Sequence, residues 1–88
     1  MDYNIFYDYR EQYGLAIVEK DGKFGVIQAD STIKIPIEYD YIFGFKNAVS
    51  LLIKAGKYGA MDTTGTIIVP VEYDDVNKFP KDILDKLK

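Results

Sequence analysis

The chain has 88 residues, no cysteine, no histidine and a formal net charge of −3. Those facts exclude a disulfide framework, a Cys/His zinc site, and Ser–His or Cys–His nucleophilic chemistry. Hydrophobic residues make up 48%, which is ample for one small core. Lysines scattered among acids do not form the concentrated basic surface a nucleic-acid binder needs.

The opening residues 1–13 carry Tyr3, Phe6, Tyr7 and Tyr9 between polar neighbours. Such aromatic density points to an ordered N-terminal cap or a degenerate repeat. Tyr7-Asp8-Tyr9 echoes Tyr39-Asp40-Tyr41, 32 residues further on. No basic flank precedes an apolar core, so no secretory signal is expected. The apolar runs are too short to span a bilayer, and a soluble cytoplasmic chain is expected.

From residue 14 the chain states one pattern twice. Residues 22–45 read GKFGVIQADSTIKIPIEYDYIFGF, and residues 56–79 read GKYGAMDTTGTIIVPVEYDDVNKF. The two align without a gap at an offset of 34. A fixed period of this size marks a repeat architecture. Repeat one is assigned to residues 14–47 and repeat two to residues 48–79, within a single domain.

Each copy opens on a β-rich run, residues 14–18 and 48–52. Asp21-Gly22 is a strong hairpin signal, and Ala55-Gly56 a weaker one. Residues 23–28 and 57–62 return as strands, and Gly25 and Gly59 are expected to let a neighbouring aromatic ring lie on the backbone. Third strands follow at residues 32–35 and 66–69. Pro36 and Pro70 are expected to end them. Residues 37–45 are read as a connector in which Asp40, like Asp74 in copy two, caps the backbone just ahead. Phe45 and Phe79 return to the core. Residues 80–88 form a short amphipathic helix with Ile83, Leu84 and Leu87 on its apolar side. Copy two has Ile68 and Ile53 where copy one has Lys34 and Glu19, so the helix is expected to fold back over those two isoleucines.

The whole is predicted to be all-β: two tandem antiparallel three-stranded units with a short C-terminal capping helix. The pattern Gly-Lys-aromatic-Gly followed by Pro-x-Glu-Tyr-Asp and Phe resembles the WG, or KWG, repeat of bacterial proteins. Phe24 and Tyr58 stand where that family usually has Trp. The resemblance implies an all-β interaction module and brings no catalytic residue with it.

Glu38/Asp40 and Glu72/Asp74 have the composition of acid–base pairs. They recur at the repeat period, whereas catalysis needs one asymmetric pair, so they read as scaffold. Gly22-Lys23-Phe24-Gly25 lacks the spacing of a phosphate loop. No catalytic, cofactor or metal site is expected, and the chain is read as no enzyme. Function is sought where the copies differ. Copy one has Tyr41 and Phe43 where copy two has Asp75 and Asn77. With Tyr7 and Tyr9, these residues are the candidate partner-binding set. The expected partner is a protein, with a basic toxin domain as one instance, which would make the chain an immunity protein or inhibitor. No nucleic acid and no membrane are expected as partners. The alternatives are a structural unit that self-assembles or belongs to a longer array, and carbohydrate binding through exposed tyrosines.

Overall fold

A computed structural model describes residues 3–87. The chain runs β1 (Asn4–Tyr9), α1 (Arg10–Tyr13), β2 (Leu15–Lys20), β3 (Lys23–Gln28), β4 (Ile33–Tyr39), β5 (Tyr41–Ile42), β6 (Val49–Lys54), β7 (Lys57–Asp62) and β8 (Ile67–Tyr73). A 3-10 turn (Val76–Lys78) and α2 (Lys81–Leu87) follow. Residues 1, 2 and 88, which the cap and helix assignments also covered, lie outside the described residues. Among the described residues no helix is long and apolar enough to cross a membrane.

The strands form two four-stranded antiparallel sheets, ordered β1-β2-β3-β4 and β5-β6-β7-β8. The expected three-stranded unit is thus one strand short. The missing member leads each sheet: β1 pairs with β2, and β5 pairs with β6. Without it, the outer backbone groups of β2 and β6 would be left without ladder partners. The stretch read as a connector therefore contains a strand, β5, which belongs to the following sheet. Asp40 alone separates β4 from β5, and its N–H already donates to Ile53 O at 2.8 Å.

The leading strands also realign the N-terminal echo. Ile5 faces Val18, and Ile42 faces Leu52. Val18 and Leu52 are one repeat apart, so Ile5-Phe6 corresponds to Ile42-Phe43, at an offset of 37. The Tyr-Asp echo is therefore not the structural correspondence. A bulge between Ile5 and Tyr7 absorbs a residue and shifts the rest of β1.

The hairpin turns follow their dipeptides. Asp21 and Gly22 have φ of 52° and 83°, and Ala55 and Gly56 have 52° and 77°. Positive φ at both positions is the twist that matches right-handed flanking strands. The proline expectation is corrected. β4 runs through Pro36 to Tyr39, and β8 through Pro70 to Tyr73. Both are edge strands, so the proline costs no ladder bond on the solvent side. Register shifts occur at that point, between Phe24 and Val26 and between Tyr58 and Ala60. The displaced residues are Ile37 and Val71, and each crowds the glycine opposite. A Cβ on Gly25 would lie 2.7 Å from Ile37 Cα. What the glycine admits is thus an aliphatic residue and its backbone, not an aromatic ring.

The core follows the repeat. Leu15, Ile17, Phe24, Val26, Ile35 and Tyr39 of the first sheet bury against Ile42, Leu52 and Met61 of the second. Adding 34 to the first set gives Val49, Leu51, Tyr58, Ala60, Val69 and Tyr73. Those residues pack on Phe79, Val76 and the α2 side chains Ile83, Leu84 and Leu87. The helix therefore covers the face that unit one gives to unit two. It does not cover Ile68, which stays exposed. Along β8, Ile68 points to the opposite side from Val69. Ile53 is opposite Tyr41 in the β5–β6 ladder, not beneath the helix.

Candidate functional site

Aromatic rings gather where the first sheet meets the second. Tyr41 sits 4.7 Å, centroid to centroid, from both Phe24 and Phe43. Phe6 contacts Phe24 edge-on at 5.1 Å. Tyr7 and Tyr9 are two apart on β1, so they share a face, and their rings are nearly parallel at 6.2 Å. Phe45 packs edge-on against both Tyr9 and Tyr13, at 4.9 and 5.2 Å, and those two rings also touch each other at 5.5 Å. Edge-on and offset pairs of this kind add to the energy of simple burial.

The hydroxyls are tied down as well. The Phe45 N–H donates to Tyr9 Oη at 3.1 Å. A hydrogen bond with Tyr41 holds the Tyr7 phenol above its ordinary value of 10.0. Behind the segment, Ser50 Oγ donates to Phe43 O at 2.5 Å. Ser50 is fully buried, and this bond satisfies it.

Tyr7, Tyr9, Phe43 and Phe45 line a groove of about 540 Å³, with Leu51 and Leu87 among the residues facing them. Lys46 is at its edge and donates to Leu87 O at 3.3 Å, while Asn47 Nδ2 donates to Lys86 O at 2.7 Å. The C-terminal end of α2 is thus fastened to the β5–β6 loop and forms part of the groove. Of the four residues singled out in the sequence, three line it. Tyr41 does not; it stands behind Phe43 as a support. Phe43 is the most open of the four, with 42% of its surface exposed.

Sequence reasoning missed Gly44, Phe45, Leu51 and Leu87 as groove residues. Gly44 passes flat against the β1 rings: a Cβ there would lie 3.0 Å from Tyr9 Oη and 3.2 Å from Tyr7 Cε1. A signal was available, since copy two has Lys78 at the matching position. The other three sit in regular repeat or helix positions and give no such signal.

Of the repeated carboxylates, Glu38, Asp40 and Asp74 are held in ion pairs. Lys23 Nζ donates to Asp40 Oδ1 at 2.6 Å, and the Ala55 N–H donates to Asp40 Oδ2 at 2.9 Å. Lys54 Nζ reaches back to Glu38 Oε1 at 2.9 Å. Lys57 pairs with Asp74. Asp40 is thus not a cap for the residues just ahead but a latch onto the next unit's hairpin. The cap of the 3-10 turn is Asp75, whose carboxylate accepts from the Asn77 N–H at 2.9 Å.

These pairs set the acid response. Arg10 beside it brings Asp8 down to about 2. Thr32 lowers Asp30, Lys23 lowers Asp40, and Lys57 lowers Asp74 below the ordinary 3.8. A carboxylate depressed in the folded state stabilises fully above its unfolded value and loses that contribution as pH falls through its folded value. The melting temperature is expected to hold steady down to about pH 5 and to fall below about pH 4. Asp40→Ala should lower it by a few degrees at neutral pH and make the acid fall shallower. An acid profile identical to the parent's would show that the latch carries no stability.

Among the described residues no group of three or more His, Cys, Asp or Glu side chains gathers to hold a metal. The profile of the WG containing repeat matches the chain twice, over residues 24–58 and 58–84. The chain belongs to the WG-repeat family. The two matches together span more than half of the 88 residues and meet at Tyr58, one repeat after Phe24. The WG repeat is therefore counted from one β3-type strand to the next, so one period contains the junction between the sheets. No curated protein and no solved structure matches the chain in the same comparison.

Proposed function

We propose that this WG-repeat chain is a non-enzymatic protein-binding module that seats a partner side chain in the groove at Tyr7, Tyr9, Phe43 and Phe45. The observation that carries the reading is the groove itself. Rigid aromatic walls are open to solvent at a place where copy two offers Asp75 and Asn77 instead. Aromatic residues in a pocket that a partner desolvates are the usual anchors of an interface. Tyr41 and the Tyr9–Phe45 bond hold the walls in place before binding, which lowers the cost of ordering them. The net charge of −3 favours a partner with a basic surface, through faster encounter. An immunity protein or inhibitor that covers a basic toxin domain is the specific form of this proposal.

A photo-reactive phenylalanine analogue at position 43 of the full chain, in its own cells, is the test. It should capture one protein. Phe43→Ser should then weaken the affinity for that protein about tenfold or more. The melting temperature should change little, because the ring is half open. Ile33→Ser, at a site 61% exposed on β4, is the control and should leave the affinity unchanged. A Phe43→Ser variant that binds as tightly as the parent removes the groove from the interface.

A further inference from the structure

We infer that Lys46 makes the groove selective for charge, so that it takes a partner segment in which an apolar side chain stands next to a carboxylate. This names the partner's anchor, and it rests on the reading of the groove as a protein-binding site.

The walls receive the apolar part. Tyr7, Tyr9, Phe43, Phe45, Leu51 and Leu87 face the cavity, and no carboxylate stands among the described residues that line it. Of those residues Lys46 alone is charged. Its Nζ donates to Leu87 O at 3.3 Å, which uses only part of what an ammonium can donate. Among the described residues it belongs to no ion pair, unlike Lys23, Lys54 and Lys57. Tyr9 adds a second donor. Its oxygen accepts from the Phe45 N–H, which leaves its own hydrogen for an acceptor. Lys46 and Tyr9 thus both offer hydrogens to what seats between them, and a carboxylate is the polypeptide group that takes such hydrogens most strongly.

The backbone holds Lys46 in that place. Its N–H donates to Val49 O at 2.8 Å, and the Val49 N–H donates back to Lys46 O at 3.0 Å. The residues between them, Asn47 and Ala48, both lie in the left-handed region, with φ of 53° and 66°. Glycine adopts that region freely, whereas a Cβ strains it. At the position of Ala48 the first copy has Gly14. The turn that sets Lys46 on the rim is therefore strained, and strain of this kind gathers at ligand sites. One period earlier the residue matching Lys46 is Gln12, and one period later it is Pro80, so the cation marks this junction as Phe43 does. α2 stays seated throughout: Asn47 Nδ2 holds Lys86 O at 2.7 Å, and Leu87 serves as a fixed wall. Salt limits the reach of an exposed charge to about 8 Å, so Lys46, not the net charge of −3, decides what seats beside it.

The test titrates the isotope-labelled full chain with blocked peptides of the form Gly-Leu-Leu-X-Gly, where X is glutamate, glutamine or lysine. The amide signals of Phe43 and Gly44 report seating. The glutamate peptide should bind about fivefold more tightly than the lysine peptide, with the glutamine peptide between them. High salt should shrink that preference. Lys46→Met should level the peptides, and Lys46→Glu should invert their order. If hydrogen exchange shows that either substitution loosens α2, the salt dependence of the parent decides alone. A lysine peptide that binds as well as the glutamate peptide overturns the assignment, and so does a preference that survives high salt or Lys46→Met. Equal binding of all the peptides that Phe43→Ser abolishes overturns it too, and leaves the groove standing as the interface. Shifts that Phe43→Ser leaves unchanged remove the groove as well. No shift at either amide with any peptide overturns the anchor.

Discussion

Gly59→Ala is expected to destabilise the protein by about 3 kcal/mol, and Gly25→Ala by a similar amount. A Cβ at Gly59 would lie 2.6 Å from Val69 O and 2.8 Å from Val71 Cα. Both of those atoms are backbone, so no side-chain rotation relieves the overlap. The edge strand would have to move away from β7, and the pairing of Tyr58 with Tyr73 would be pulled with it. The measurement is the urea midpoint, with the slope checked to confirm that the transition stays two-state. A midpoint unchanged in either variant would show that the edge strand opens without cost.

Phe79→Ala should cost about 3–5 kcal/mol. A domain of this length has a net stability of roughly 4–13 kcal/mol at the usual value per residue, so the loss is a large part of the whole. Phe79 is buried among Val49, Ala60 and Val69, with its ring 5.4 Å from that of Tyr73. Pro80, which follows it, accepts the first α2 hydrogen bonds, from the N–H groups of Ile83 and Leu84. Emptying the Phe79 site therefore also releases the start of α2. Phe45→Ala, at the matching repeat position, should cost less, since Phe45 is half-buried on the groove. Hydrogen exchange gives a second readout: the α2 amides should lose protection in Phe79→Ala and keep it in Phe45→Ala. Equal losses of stability in the two variants would show that the repeat positions have the same role.

Much of the candidate site was legible because copies of one sequence can be compared. Tyr41 and Phe43 stood out by difference from Asp75 and Asn77, and the structure places both at the aromatic junction. Gly44 was missed although Lys78 offers the same kind of contrast, because the rings it lies against, Tyr7 and Tyr9, belong to β1 and meet it only in the fold. Leu51 and Leu87 carried no mark. They are ordinary apolar residues, and only the approach of α2 to β6 turns them into a groove wall. The latch role of Asp40 was hidden for a similar reason. Its acceptor atoms serve Lys23, 17 residues earlier, and Ala55, 15 residues later, and local turn chemistry says nothing about either.

The sequence by itself determined the period, the hairpins and the strands that return from them. A 34-residue repeat, paired turn dipeptides and alternating apolar residues act locally, through positive φ and side-chain direction. It also determined that a short helix must end the described chain on an apolar face. What only the tertiary structure decided is which backbone edge each segment joins. The residues after Asp40 enter a strand because β6 offers an unpaired edge beside them, while the residues after Asp74 turn into a helix that covers the same kind of face. The two segments follow nearly the same motif. Hydrogen-bond partners and buried surface supplied by the neighbouring unit separate them, together with the local Asp75 cap that copy one lacks.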